Sequence, residues 1–206
     1  MHKRIFFVLI AILTMGNQCA EIDVTDPDLA NTMTELNSEW QKGYGLAVAE
    51  IGTRHFNVDR STAFAAMNKT MDSLGFNIVM TEGDYYQSVS IPAASMFTDM
   101  EWQRIRQFEE PQMRRIATEH LGVKGNFARL EPEGLLIDGK ITFIGTGEVT
   151  DISLTFRLVE IELQPPESIL PRRDYPPPHA ARVGFEKIWR TFEHSALPVT
   201  RLAESN

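Results

Sequence analysis

Ile152-Ser153-Leu154-Thr155-Phe156-Arg157-Leu158 alternates apolar and polar side chains without a break. A period of two puts every second side chain on one face, so this stretch predicts a β-strand with one face toward a core. Just upstream, Leu135-Leu136-Ile137-Asp138-Gly139-Lys140-Ile141-Thr142-Phe143 sets Asp-Gly between two apolar runs. That dipeptide favours the positive φ angles of a type I′ turn, and it predicts a hairpin centred on Asp138-Gly139. The region from Asn126 to Leu163 is therefore expected to form an antiparallel sheet. Gly145-Thr146-Gly147 is either a tight turn or a bulged part of one long strand, and Leu158-Val159 breaks the alternation as a second bulge would.

Upstream of this sheet the pattern turns helical. Asp26-Pro27 reads as an N-cap followed by proline at the first helical position. Leu29, Met33, Leu36 and Trp40 follow at helical spacing, and Gly43 is expected to end the helix. Leu46 to Val58 is expected to be mostly extended, with a strand over Arg54–Val58. Asp59 caps a helix over Arg60–Leu74 with Phe64, Met67, Met71 and Leu74 on its apolar face. Gly75 is expected in the left-handed conformation just beyond it. Phe76–Met80 is the next strand, Glu82-Gly83-Asp84 turns the chain, and Tyr85–Ile91 returns. Together these make a β-α-β-β unit. Thr98-Asp99-Met100-Glu101 is a capping box that opens a further helix. Pro111 is expected to start a second helix or kink the first, and Gly122 closes it.

Downstream, Gln164–His179 holds six of the eleven prolines, which predicts an extended surface crossing. The last helix is expected over Ala180–His194. It carries Ala181, Phe185, Ile188 and Phe192 on one face and Trp189 at the edge. Phe185, Ile188 and Phe192 are expected to cover the strand face of Leu154, Phe156 and Leu158. The fold class is thus α+β: an antiparallel sheet with helices on one face, a β-α-β-β unit, a hairpin region and a C-terminal helix.

The chain has 206 residues, 43% of them hydrophobic, which suits one domain with a real core. Its formal net charge is -8. Nucleic-acid binding needs clustered Lys and Arg on phosphates, so an acidic chain argues against it. Met1-His2-Lys3-Arg4 is a basic start, and Ile5–Met15 is an apolar run too short for the roughly 20 residues that cross a bilayer. This is the pattern of a secretory signal peptide. The only cysteine, Cys19, follows directly. The chain is therefore expected to divide into a signal peptide (1–18), a tether (19–28), a folded α+β domain (29–195) and a flexible tail (196–206). That 19–28 is a lipid-anchor tether and 29–195 a periplasmic domain is what the resemblance of the Cys19 segment to bacterial lipoproteins implies. Cleavage after Ala20 by the ordinary signal peptidase, giving a soluble periplasmic or secreted protein, is the competing reading.

The chain shows no P-loop, glycine-rich dinucleotide fingerprint, nucleophile elbow or His-Glu-x-x-His motif. Gly145-Thr146-Gly147 lacks the following helix of a phosphate loop. His55, His120, His179 and His194 are far apart and show no metal-ligand spacing. Glu160 with Glu162, and Glu109 with Glu110, are carboxylate pairs of the kind that do acid–base work when burial splits their pKa values. A solvated face or the capping of a helix dipole is the preferred explanation of both pairs. Arg172-Arg173 needs no anion to explain it in an exposed crossing. No cofactor or metal site is expected. Tyr85 and Tyr86 on their hairpin, together with Trp189, are the candidate partner surface.

Gly16-Asn17-Gln18-Cys19 resembles the lipobox of bacterial lipoproteins, in which the cysteine is acylated and becomes the mature N-terminus. The family has Leu three residues before the cysteine and Gly or Ala just before it, where this chain has Gly16 and Gln18. Ala20 rather than Asp after the cysteine implies, by the same resemblance, delivery to the periplasmic leaflet of the outer membrane. Ser73-Leu74-Gly75-Phe76 and Val183-Gly184-Phe185-Glu186-Lys187-Ile188-Trp189 are similar to segments of uncharacterised envelope lipoproteins. Ile137–Ile141 with Phe156–Val159 is similar to the sheet of curli-secretion-type and flagellar-accessory lipoproteins. The resemblance implies a fold and a compartment and carries over no functional residue.

Three functions fit. The first is a non-enzymatic envelope component, held by a lipid anchor, that binds protein partners. The second is an envelope hydrolase, which would show a cleft with two close carboxylates. The third is a small-ligand domain, which would show a large apolar pocket under the last helix.

Overall fold

The computed structural model describes residues 26–161, 169–170 and 175–203, with side chains described as far as Ser195. The signal-peptide region, Cys19 and most of the proline-rich crossing lie outside the described residues. The elements run α1 (Pro27–Ile51), β1 (Thr53–Phe56), α2 (Arg60–Ser73), β2 (Asn77–Glu82), β3 (Tyr86–Pro92), α3 (Ala93–Met96) and α4 (Asp99–Leu121). After them come a 3-10 helix (Gly122–Phe127), β4 (Leu135–Thr146), β5 (Val149–Glu160) and α5 (Pro178–Ala203). One antiparallel sheet holds all five strands in the order β1-β5-β4-β3-β2. Its inner face carries Val89, Ile91, Ile141, Phe143, Ile152 and Leu154, all buried, while Lys140, Thr155 and Arg157 point to solvent. The fold is α+β, with the helices on one sheet face.

Local signals placed most element starts. Asp26 accepts from the Asp28 N–H with Pro27 beside it, and Asp59 accepts from the Thr62 N–H. Thr98 and Glu101 form the reciprocal capping box that opens α4. Gly75 has φ +83°, and the Phe76 N–H reaches back to the Met71 carbonyl. Only glycine takes that left-handed position without a clash at Cβ.

Several expectations fail. The helix expected to stop at Gly43 runs on to Ile51, across a stretch expected to be extended. Gly43 is a contact point: a Cβ there would lie 2.5 Å from Pro178 Cγ, so glycine lets α5 begin against α1. The Asp138-Gly139 pair is not a turn but the middle of the central strand β4. Asp138 is bonded to Arg157 across the strands, and a Cβ on Gly139 would sit 2.7 Å from the Phe156 ring. The hairpin turns instead at Gly147-Glu148, with Thr146 opposite Val149 and Gly147 at φ +68°. The favoured two-residue hairpin turns need a positive φ at that first loop position.

Pro111 lies inside α4, which is a single continuous helix. Both Pro111 and Gln107, whose carbonyl loses its donor, are exposed, so the missing bond falls on the solvent side of the helix. The backbone of α5 runs to Ala203. The β-α-β-β unit exists in chain order, yet β1 and β2 lie at opposite edges of the sheet, with the later β4–β5 hairpin inserted between β1 and β3.

α5 lies against α1, α2 and α4. Phe185 meets Phe156 at 5.3 Å between ring centres, and Phe192 meets Phe56 edge-on at 4.6 Å. Trp189, expected at the helix edge, is fully buried and donates through Nε1 to the Ile51 carbonyl at 2.6 Å. Beyond the short β1, the outer edge of β5 is also satisfied. Leu154 N–H donates to the Gly52 carbonyl (2.8 Å) and Phe156 N–H to the Tyr44 hydroxyl (2.7 Å). Phe185 and Phe192 are both fully buried. Truncating either to alanine is expected to cost about 3–5 kcal/mol, read from chemical denaturation, because the sheet face cannot close over the hole.

Candidate functional site

The sequence candidates do not converge on one place. Tyr85 sits in the β2–β3 turn, half exposed, with its hydroxyl donating to Glu82 at 3.2 Å. That neighbouring carboxylate pushes the phenol pKa up. Tyr86 begins β3 opposite Thr142 and Glu82, on the open sheet face. Trp189 is core, so it is no part of a partner surface.

The carboxylate pair at residues 109 and 110 splits between two structural tasks. Glu109 is only 3% exposed and accepts from the backbone N–H groups of His179 and Ala180. These are among the first N–H groups of α5, which no intrahelical carbonyl reaches. A carboxylate on α4 thus caps a helix far away in sequence and sits at the positive end of its dipole. Burial pushes its pKa up, against the lowering effect of the two N–H groups. Glu110 binds Arg114 at 2.6 Å and the Leu130 N–H at 3.2 Å.

The histidines are equally dispersed. His55 pairs with Asp151 (2.8 Å) on the open sheet face and His120 with Glu35 (2.9 Å) between α4 and α1. His179 lies against Phe108, with ring centres 4.3 Å apart, and burial lowers its pKa. His194 Nδ1 lies 2.6 Å from the Arg190 carbonyl one turn earlier. Among the described residues no three His, Cys, Asp or Glu side chains come together as metal ligands, and no helix is long and apolar enough to cross a membrane.

Two concavities bear on the rival functions. An apolar pocket of about 50 Å³ lies beneath the first turns of α5, walled by Phe76, Phe97, Trp102, Phe156, Ala181 and Gly184. One water needs roughly 10–15 Å³, and drug-sized ligands occupy roughly 300–1,000 Å³. The pocket therefore suits a group the size of an amino-acid side chain. A second, polar cleft sets Arg106, Arg114 and Arg129 among Glu110, Glu131 and Glu133. Its polar wall is three carboxylates and three guanidinium groups, and Glu110 is engaged there by Arg114 and the Leu130 N–H.

What stands out is the edge strand β2, which the sequence reading passed over. Every residue of β2 is exposed, with Ile78 at 45%, Val79 at 63% and Met80 at 45%. β3 pairs with one side of it, and among the described residues no strand pairs with the other. The register slips between Ile78 and Met80, leaving Val79 without a partner on β3. Natural edge strands are usually guarded by charge or proline. Here Glu82, at the strand's end, is the only charged residue. A signal was present: Ile78-Val79-Met80 is a continuous apolar run, which by pattern alone reads as buried.

No protein-family model, no curated protein and no solved structure matches the chain. Fold and surface define it as an α+β domain with one covered sheet face and an exposed apolar edge.

The Glu109 cap yields a prediction. Glu109→Ala leaves two buried N–H groups without acceptors and is expected to cost about 1–3 kcal/mol, whereas Glu109→Gln, which keeps an acceptor, costs less. The sign with pH follows from the raised pKa. The folded state holds the proton more tightly, so Glu109 contributes stability that is full below the ordinary carboxylate range and is lost as pH rises through the raised value. Denaturation curves across that range should slope less for Glu109→Gln than for the wild type.

Proposed function

We propose that this protein is a lipid-anchored component of the bacterial cell envelope that faces the periplasm and binds a protein partner without catalysing a reaction. The observation that carries the partner assignment is β2, an uncharged apolar edge at Ile78-Val79-Met80 with Tyr85 exposed beside it. An extended segment laid along this edge would pair with its free N–H and C=O groups, while Val79 and Met80 supply apolar contact. The anchor rests on the sequence alone: the solitary Cys19 at the end of an apolar leader, followed by Ala20.

Two measurements test the two halves separately. Metabolic labelling with an alkyne fatty acid is expected to tag the wild type and not Cys19→Ser; equal tagging would remove the anchor. A photo-crosslinking residue placed at Val79 is expected to trap a discrete complex in intact envelopes that Met80→Lys abolishes in folded protein. A complex that survives Met80→Lys unchanged would take β2 out of the partner site.

A further inference from the structure

The 3-10 helix after α4 carries two strongly exposed large apolar side chains, Val123 at 77% and Phe127 at 65%. The loop is well held. Gly125 packs so closely on α4 that a Cβ would lie 2.3 Å from the Ala117 carbonyl carbon, and Thr118 bonds Asn126 at 3.4 Å. The Ala128 N–H closes it onto the Gly125 carbonyl at 3.1 Å. The apolar tips are therefore presented outward by a fixed backbone.

The place of this loop follows from the helix contacts. Gly43 of α1 and Glu109 of α4 both touch the start of α5, while Glu35 of α1 bonds His120 of α4. Moving toward the N-terminus of α1 therefore means moving toward the C-terminus of α4. The two helices are antiparallel, and the 3-10 helix lies at the end where α1 begins at Asp26. From Glu35 back to Pro27 is about 12 Å of helix. From Cys19 to Asp26 the chain spans at most about 24 Å.

We propose that the tip formed by Val123 and Phe127 inserts into the surface of the bilayer that holds the acylated Cys19. The proposal rests on the anchored reading above and adds to it the face of the domain that meets lipid. Two side chains bury little area, and a single acyl-type contact is reversible by itself, so such contacts act in combination. The tether supplies a high local concentration of bilayer, which lets a weak contact be occupied. Lys124, exposed between the two apolar residues, is placed to extend its amine to the headgroups while its stem lies in the interface.

The test uses the solitary cysteine. In acylated full-length protein Cys19 is blocked, and Val123→Cys or Phe127→Cys supplies the one thiol that takes an environment-sensitive fluorophore. The proteins are placed in vesicles of phosphatidylethanolamine and phosphatidylglycerol. Ala49→Cys, exposed and about 34 Å along α1 from Asp26, is the control. Blue-shifted emission at 123 and 127, with several-fold stronger quenching by doxyl-labelled lipid than at 49, is the expected result. Water-like emission at all three positions, with Cys19 blocked, overturns this proposal and leaves the anchor standing. A wild type that takes the label at Cys19 overturns the anchor and the proposal with it. A blue shift seen in isolated envelopes but not in pure vesicles assigns the tip to a protein and also overturns it.

Discussion

The structure depends on covering one sheet face. The three inner strands β3, β4 and β5 present Val89, Ile91, Ile141, Phe143, Ile152 and Leu154 on the same side, and that side cannot be left to water. α5 is the last element to arrive, and its Phe185, Ile188, Trp189 and Phe192 are all fully buried. It lies against α1, α2 and α4, so it joins elements from both ends of the chain. Burial is nondirectional, but the approach is not free. Gly43 admits Pro178, Gly139 admits Phe156, and Trp189 donates to the carbonyl that ends α1. Where a side chain is missing, a neighbour's ring or helix fills the space, and the register of the whole assembly follows.

Glu109 shows the cost of setting α5 in place. Its carboxylate lies in the interior, where ionisation is penalised, yet the start of α5 offers N–H groups that would otherwise be unpaired. The two burdens offset each other because they meet. A carboxylate with no helix end beside it would be expelled or protonated, and a helix end with no acceptor would fray. The group is better understood as part of the scaffold than as half of an acid–base pair.

The two sheet edges are treated differently, and this difference shapes the surface. At one edge β1 covers the first part of β5, and the Gly52 carbonyl and Tyr44 hydroxyl take the N–H groups beyond it. At the other edge, among the described residues, β2 has neither a further strand beside it nor a guarding charge before Glu82. A slipped register at Val79 twists the strand without hiding its apolar side chains. A sheet that protects one edge in detail and leaves the other open has a defined place for an added strand.

The sequence by itself determined what depends on near neighbours. The alternation from Ile152 to Leu158 specified a half-buried strand, because the pleat alone sets its period. Asp26, Asp59 and the Thr98–Glu101 box marked helix starts, and Gly75 a helix end, because each acts on backbone groups within a few residues. The matching stripe at Phe185, Ile188 and Phe192 also told that α5 covers the sheet. The tertiary structure decided every feature whose partner is distant. Asp-Gly at 138–139 is locally a turn signal, and it became mid-strand because Phe156 needs the space over Gly139 and Arg157 binds Asp138. Gly43 is locally a helix stop, and it became a crossing point because Pro178 packs there. Trp189 turned inward to reach the Ile51 carbonyl. Glu109 found a helix end seventy residues away, and β2 became an edge because β4 and β5 filled the sheet between β3 and β1. Local rules describe what a residue prefers when alone, and these residues are placed by groups that only folding brings beside them.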